Sequence, residues 1–451
     1  MRAVIRPHRV SGIFRLPASK SHTIRRLLLA ALGEGVSEIA YPLDSLDARS
    51  CAAVCRVLGA EIAEERAADG RAANPPDGEG KKLVRWTVRG IGAGDGGLSF
   101  PSSPAAGDVG NSGTTLFLAL AAAALGKVPV TFTGDEQIAR RGAGPLLDAL
   151  AGLGARVASE KGCTPITVEG PWKGGRVRLP CPTSQYLSAL LLAAPLAPAG
   201  TLTEIDVPLL NEKPYIELTL SYLDAQNIPY ETDGDFSFFR IPGGGRYRPR
   251  NGPVPGDFSS AAFPAAAAAV TGGPVSLLGL NPEDPQGDKV FFDMLSRMGC
   301  EVAWTKEPLG RAEPWRLTLS RTGTLRGGEF DLNAAPDLLP ALAVTASYAE
   351  GPTALVNVAH ARIKETDRIA VMARELGRLG VLCEERPDGL VVHGTGGPLK
   401  GGAVDGRGDH RVVMALAVAA LGAAGPVEIA GAESAAVTYP GFIEILNGVI
   451  I

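Results

Sequence analysis

One pattern is written six times along this 451-residue chain: a short polar cluster, a compact run that is apolar on every face, then Gly or Pro. The apolar runs cover 27–32, 116–125, 187–197, 261–270, 338–347 and 412–421. The polar clusters ahead of them are Ser19-Lys20-Ser21, Asn111-Ser112-Gly113-Thr114-Thr115, Thr183-Ser184-Gln185, Asp257-Phe258-Ser259-Ser260, Asp337 and Asp409-His410-Arg411. Neighbouring clusters start 72 to 92 residues apart. A helix with no polar face must be buried. Six buried helices can gather their N-termini, and helix N-termini attract anions. The pattern therefore constrains fold and site together.

A second, amphipathic helix follows each first one. Four of these end in nearly the same phrase: Leu58-Gly59-Ala60, Leu153-Gly154-Ala155, Met298-Gly299-Cys300 and Leu379-Gly380-Val381. Each Gly is placed as a left-handed cap. Short β-type stretches such as Glu61-Ile62 and Arg156-Val157 come next, and strand signals at 128–132, 275–278 and 354–358 follow the buried helices. The unit reads as buried helix, strand, amphipathic helix, strands, with a sixth copy truncated at 440–451. The class is α/β, and the length calls for more than one domain.

A net charge of −4 argues against a nucleic-acid partner, whose footprint is basic. The longest apolar stretches run to about a dozen residues, short of the roughly 20 that span a bilayer. No apolar segment marks the first residues as a signal peptide, so a cytoplasmic protein is expected. Six scattered cysteines have no metal-ligand spacing; Cys51 and Cys55 sit one helical turn apart and read as buried or neutral thiols. The Ala-, Asp-, Gly- and Pro-rich stretch 66–82 reads as a surface loop.

The chemistry lies in the polar clusters. In the run Arg362-Ile363-Lys364-Glu365-Thr366-Asp367-Arg368-Ile369, Lys364 and Arg368 would share a helical face, with Glu365 beside them. Alone, the run is a salt-bridged helix start capped by Thr366 or Asp367. It gains weight because basic and hydroxyl residues recur at other buried-helix starts: Lys20, Ser21 and Arg25; Thr183, Ser184 and Gln185; His410 and Arg411. Arg140-Arg141 lies between Gly134 and Gly142. Lys20, Arg25, Arg141, Lys364, Arg368 and Arg411 are expected to form one concave cationic site for a small, multiply anionic ligand. Arg grips carboxylate or phosphate bidentately. Asp337 and Glu365 would supply carboxylates for proton transfer. Gly243-Gly244-Gly245 reads as a turn, and no nucleotide cofactor is implied.

A series of phrases, in order, carries a resemblance: Pro17-Ala18-Ser19-Lys20-Ser21; Gly110-Asn111-Ser112-Gly113-Thr114; Thr183-Ser184-Gln185-Tyr186-Leu187-Ser188-Ala189-Leu190-Leu191; Lys213-Pro214-Tyr215-Ile216; Gly256-Asp257-Phe258-Ser259-Ser260-Ala261; Pro336-Asp337; Lys364-Glu365-Thr366-Asp367-Arg368; and Asp409-His410-Arg411. Over nearly its whole length the chain resembles the 5-enolpyruvylshikimate-3-phosphate synthase family of the enolpyruvyl-transferase superfamily. The related UDP-N-acetylglucosamine enolpyruvyl transferases fit less well, since they usually carry a cysteine in the loop that here spans 137–144.

The resemblance implies a two-domain inside-out α/β barrel, each domain built of three βαβαββ repeats with pseudo-threefold symmetry. Residues 19–255 would form a continuous domain, and 1–18 plus 256–451 a split one, closing on ligands in the cleft between them. The implied reaction carries the enolpyruvyl group of phosphoenolpyruvate to the 5-hydroxyl of shikimate 3-phosphate, through a tetrahedral adduct, releasing phosphate. It needs no metal or cofactor, and a cytoplasmic monomer acting on small anions is expected. Ser21, Arg25, Thr183, Ser184, Gln185, Tyr215, Asp337 and Lys364 match the shikimate-phosphate pocket. Lys20, Arg141, Arg368 and Arg411 match the phosphoenolpyruvate pocket, with Asn111 and His410 close by. Asp337 would take the 5-hydroxyl proton, and Glu365 or Lys20 would protonate the methylene.

Three positions depart from the family's pattern. Phe117 stands where arginine is expected, Glu212 where a serine would bind the 3-phosphate beside Thr183 and Ser184, and Val437 where a lysine would bind phosphoenolpyruvate. A charge-assisted hydrogen bond is worth roughly 1.5–3 kcal/mol, so the combined cost exceeds ~5 kcal/mol. Three readings follow: a divergent carboxyvinyltransferase; a homologue that eliminates water from an unphosphorylated shikimate-like polyol without phosphoenolpyruvate; and a non-catalytic small-anion binder. Glu212 within reach of Thr183 and Ser184 is the sharpest structural expectation.

Overall fold

The computed structural model describes residues 1–67, 82–92, 97–306 and 314–447. It divides into two units, one formed by Met1–Ser19 with the chain from Pro255 onward, the other by Lys20–Ala67 and Leu83–Val254.

The second of these units shows the repeat most clearly between Ala105 and Glu169. Strand Ala105–Asp108 leads into helix Gly113–Ala123, which returns as strand Val130–Thr133, parallel to the first with Ala105 opposite Val130. Helix Gly144–Gly152 then leads to the hairpin Arg156–Glu160 and Cys163–Glu169. The hairpin's second strand lies antiparallel to Val130–Thr133, so the sheet order is first, second, fourth, third. Strands Gly175–Arg178, Leu202–Asp206, Glu231–Thr232 and Phe238–Pro242 repeat that order. In the remaining copy the first strand is Gly252–Pro253, from the far end of the unit, parallel to Val36–Ala40. Both ends of the unit therefore belong to one sheet.

The other unit repeats the plan. Gly12–Arg15 runs parallel to Val275–Leu278, and Glu329–Asp331 to Pro352–Val356, each sheet completed by a hairpin. The sixth copy ends early, as its sequence implied. Its Gly402–Asp405 and Val427–Ala430 are completed by the N-terminal strand Arg2–Ile5, antiparallel with Arg2 opposite Ala430, and this sheet has three strands among the described residues.

The all-apolar helices are buried as their composition requires. Every residue from Phe258 to Val270 of helix Phe258–Thr271 is buried, and so is every residue of His410–Leu421. These two pack on each other and on Leu339–Ser347, while Gly113–Ala123 packs against both Gln185–Ala193 and Lys20–Leu32. The intervening helices bury one face only; Arg368–Arg378 buries Ile369, Val371, Met372 and Leu376. No helix among the described residues is long and apolar enough to cross a membrane. The loop expected at 66–82 lies mostly outside the described residues, though Arg66 belongs to strand Glu61–Ala67 and Lys82 opens strand Lys82–Arg89.

Gly59, Gly154, Gly299 and Gly380 all take positive φ, between 88° and 111°, so the repeated phrase does mark helix caps. A second repeated glycine has a different cause. Gly90, Gly170, Gly243 and Gly394 each directly follow the last-paired strand of a repeat and press against the chain leaving a buried helix. A Cβ on Gly394 would lie 2.2 Å from the Ala349 carbonyl oxygen and 2.5 Å from that of Ala346. Both obstacles are backbone, so the strand would have to move. Gly394→Ala is expected to cost about 1–3 kcal/mol, read as a fall in melting temperature. Gly397→Ala, where the methyl enters open space, should melt like wild type; equal melting of the two variants would refute the close-packing account.

Candidate active site

In the split unit, three buried helices begin at one point because charged side chains tie them there. Asp257 caps Phe258–Thr271 by accepting from the Ser260 amide, and Asp409 caps His410–Leu421 by accepting from the Arg411 and Val412 amides. Asp337 sits in the single turn Pro336–Leu338 that leads into Leu339–Ser347. Among them lies Arg368, fully buried, the first residue of Arg368–Arg378.

Arg368 uses all its faces. Its Nε donates to Asp409 Oδ2 at 2.8 Å, Nη1 to Asp337 Oδ1 at 2.6 Å and Nη2 to Glu365 Oε2 at 2.5 Å. Arg411 holds the other oxygen of Asp337, with Nη2 2.8 Å from Oδ2. Arg411 Nη1 donates to Ser259, whose hydroxyl donates to Asp288 at 3.2 Å. The result is a ladder of alternating charge, Asp409, Arg368, Asp337, Arg411. Burial pushes the Asp337 carboxyl up, but Arg411, Arg368 and Lys364 outweigh it and hold the group well below the usual carboxylate range. Burial likewise works against the Arg368 charge, yet Asp409, Glu365 and Asp337 raise it well above the usual value. Asp337 is thus an ionised carboxylate with a side chain still one-fifth exposed (20%).

The sequence spacing placed Lys364 and Arg368 on one helical face. The structure corrects this: Lys364 has extended backbone at the end of the turn Ala359–Ile363, and the helix starts only at Arg368. Asp367 is the cap, accepting from the Ala370 amide at 3.0 Å, and Lys364 lies outside the helix that begins after it. Lys364 still acts on Asp337, through its charge. His410 is buried in the first turn of its helix.

The continuous unit carries the other candidates. Helix Lys20–Leu32 begins within its polar cluster, so Ser21 and Arg25 lie inside it. Lys20 Nζ pairs with Asp47 at 3.1 Å. The buried Arg25 donates from Nε to Thr219 at 3.0 Å and from Nη2 to Ser188 at 3.2 Å and to the Tyr215 carbonyl at 3.4 Å, and its Nη1 reaches the Ser21 carbonyl. Burial lowers its pKa to about 10, against the opposing pull of Tyr222, Tyr215 and Glu212. Arg141 Nη2 donates to Asn111 Oδ1 at 3.3 Å, and Asn111 donates to Asp135 at 2.7 Å and to Gln137. At Gly113 a methyl group would meet Arg141 Nη1 at 2.7 Å and Gln185 Oε1 at 3.6 Å, which sets Arg141 and Gln185 at the start of Gly113–Ala123.

Glu212 fulfils its expectation. One oxygen, Oε2, accepts from Thr183 Oγ1 at 3.2 Å, from the Ser184 amide at 3.0 Å and from Ser184 Oγ at 2.7 Å. Its backbone is left-handed, φ 60° and ψ 41°, as the cap of Lys213–Ala225. That conformation costs a side-chain-bearing residue about 1–2 kcal/mol.

Asp337, Glu365, Arg368 and Arg411 are therefore one bonded cluster, while Lys20, Arg25, Arg141 and the Thr183–Gln185 segment hold separate partners in the other unit. Asp409, Ser259, Asp288, Asp47, Ser188 and Thr219 position these groups and were not singled out for that from sequence. Asp409 and Ser259 were visible as helix-start residues and Ser188 stood inside a matching phrase; nothing marked Asp288, Asp47 or Thr219.

The model of the EPSP synthase (3-phosphoshikimate 1-carboxyvinyltransferase) family matches residues 4–446. The chain belongs to the EPSP synthase family. It is 44% identical to the 3-phosphoshikimate 1-carboxyvinyltransferase of Acetivibrio thermocellus, over 98% of this chain and 97% of that one. With the enzyme of that name from Halobacterium salinarum it shares 41% identity, over 99% and 98%. A solved EPSP synthase from Acinetobacter baumannii superposes with a TM-score of 0.77 at 30% identity, over 99% of this chain and 97% of that one. Within this EPSP synthase family member, Phe117 is buried edge-on against Tyr186, ring centroids 4.9 Å apart, and Tyr186 Oη donates to the Gly142 carbonyl beside Arg141. Val437 ends the turn Ala432–Val437.

Proposed function

We propose that this protein transfers the enolpyruvyl group of phosphoenolpyruvate to the 5-hydroxyl of shikimate 3-phosphate and releases phosphate, as a cytoplasmic monomer. The observation that carries the reading is the Arg368–Asp337–Arg411 cluster at three converging helix starts, in a chain of this family. It offers a carboxylate held ionised, and so ready to accept a proton, between two cations that suit anionic substrates.

The residues divide the work. Asp337 accepts the 5-hydroxyl proton as that oxygen bonds to C2 of phosphoenolpyruvate, and Glu365 or Lys20 delivers a proton to the methylene carbon. The tetrahedral adduct then expels phosphate and returns the methyl proton. Arg141, Arg368, Arg411 and Lys20 hold the phosphoenolpyruvate anion, with Asn111 and His410 near it. Ser21, Arg25, Thr183, Ser184, Gln185, Tyr215 and Lys364 hold the ring substrate. Asp337 is a weak base while both arginines grip it. An incoming phosphate or carboxylate competes for Arg411 and Arg368, frees the carboxylate in part and raises its basicity when both substrates are present.

This assignment needs a site between two domains, 1–18 plus 256–451 and 19–255, closing on the ligands. The test is phosphate release from phosphoenolpyruvate. Release is expected with shikimate 3-phosphate and absent without it. No release at millimolar concentrations of both substrates would overturn the reading.

A further inference from the structure

Glu212 puts a carboxylate where the local donors are arranged for an anion. Three of them, two from Ser184 and one from Thr183, converge on a single oxygen at the start of helix Gln185–Ala193. Behind them lies Arg25, 2% exposed, whose hydrogen-bond acceptors Thr219, Ser188 and the Ser21 and Tyr215 carbonyls are neutral. Glu212 is itself 2% exposed and acts on Arg25 as a counter-charge. A hydroxyl and an amide that already serve one buried carboxylate cannot also serve a phosphate dianion beside it, because two anions sharing the same donors repel. A neutral ring hydroxyl has no such conflict, since it can donate to the same carboxylate.

We infer that Glu212 sets ring-substrate specificity: its carboxylate occupies the phosphate seat at Thr183 and Ser184, so a phosphorylated ring binds only by expelling it, whereas the unphosphorylated ring binds with Glu212 in place. The inference rests on the ring-side assignment of Thr183 and Ser184 proposed above. The Glu212 side chain lies close enough to Arg25 for its negative charge to be felt there. Its left-handed backbone at the head of Lys213–Ala225 is the point about which the carboxylate would turn away.

The experiment is calorimetric titration of the full chain and its Glu212→Ser and Glu212→Gln variants with shikimate 3-phosphate and with shikimate. Glu212→Ser is expected to bind shikimate 3-phosphate at least tenfold more tightly than wild type, with shikimate changed less than about threefold. Glu212→Gln keeps the shape and loses the charge, and should also gain for the phosphorylated ring alone. Without ligand both variants should melt below wild type, because Arg25 has lost its carboxylate, and shikimate 3-phosphate should raise their melting points more than it raises that of wild type. Equal affinity for shikimate 3-phosphate in all three proteins, or an equal gain for both compounds, overturns the inference. If wild type meanwhile releases phosphate with both substrates, the proposed reaction stands and only the role of Glu212 falls. If no protein binds either compound or releases phosphate, both fall together.

Discussion

Arg368→Met is expected to unfold the split unit at a temperature some 6–20 °C below wild type at pH 7, and to abolish turnover. The substitution leaves Asp337, Glu365 and Asp409 gathered around a thioether. Breaking a buried ion pair by removing one partner costs about 3–5 kcal/mol, and a unit of this size loses about 2–4 °C per kcal/mol. The sign of the pH dependence follows from Asp337. Burial raises that carboxyl, but Arg411, Arg368 and Lys364 bring it well below its usual range. A group with a depressed folded pKa contributes stability that is complete above its unfolded value, about 3.9 for Asp, and lost as pH falls through the folded one. Wild type should therefore keep this contribution in full down to about pH 4 and lose it progressively in stronger acid. In Arg368→Met the remaining carboxylates protonate more readily, so the deficit is largest near pH 7 and narrows toward pH 4. Circular dichroism melts at pH 7 and pH 4.5 measure both. A deficit under about 2 °C at pH 7, or one that widens in acid, would mean that Arg368 is not the charge holding the cluster.

Asp337→Asn separates chemistry from architecture. The amide keeps an oxygen for one arginine and fills the same space, but it cannot take a proton. A positioned general base contributes about 10²–10⁴-fold, so kcat should fall about a thousandfold while affinity for phosphoenolpyruvate shifts less than about tenfold. Steady-state phosphate release gives the first quantity and titration the second. Undiminished kcat removes Asp337 as the base, and a proportional loss of binding would make it a scaffold for Arg411 instead.

Local composition made the six buried helices legible, since a helix apolar on every face has one place to go. The four capping glycines were legible too, because a repeated Leu/Met-Gly phrase states a backbone requirement. The start of Arg368–Arg378 was not, because Thr366 and Asp367 both suit a cap and only the structure shows Asp367 bonded to Ala370. The Arg411–Ser259–Asp288 connection joins three distant segments, and nothing in any one of them announces the others. Gly90, Gly170 and Gly394 went unread, and Gly243 was read only as part of a turn, for a related reason: what excludes a side chain there belongs to another part of the repeat. Glu212 could be placed because the family resemblance set it beside Thr183 and Ser184. What the resemblance did not supply was its left-handed backbone or its depth.

The pairing of Arg2–Ile5 with Val427–Ala430 sets an order of events during synthesis. The first strand leaves the ribosome more than 400 residues before the strand it pairs with. At about 5–20 residues per second, that is roughly 20–90 s during which its backbone edge has no final partner. The continuous unit, Lys20–Ala67 with Leu83–Val254, is complete in sequence before Asp337, Arg368 and Arg411 are made and can fold while they are being made. The split unit closes after it, and with it the Asp337 cluster: Asp337, Arg368 and Arg411 all lie beyond the end of the continuous unit in sequence.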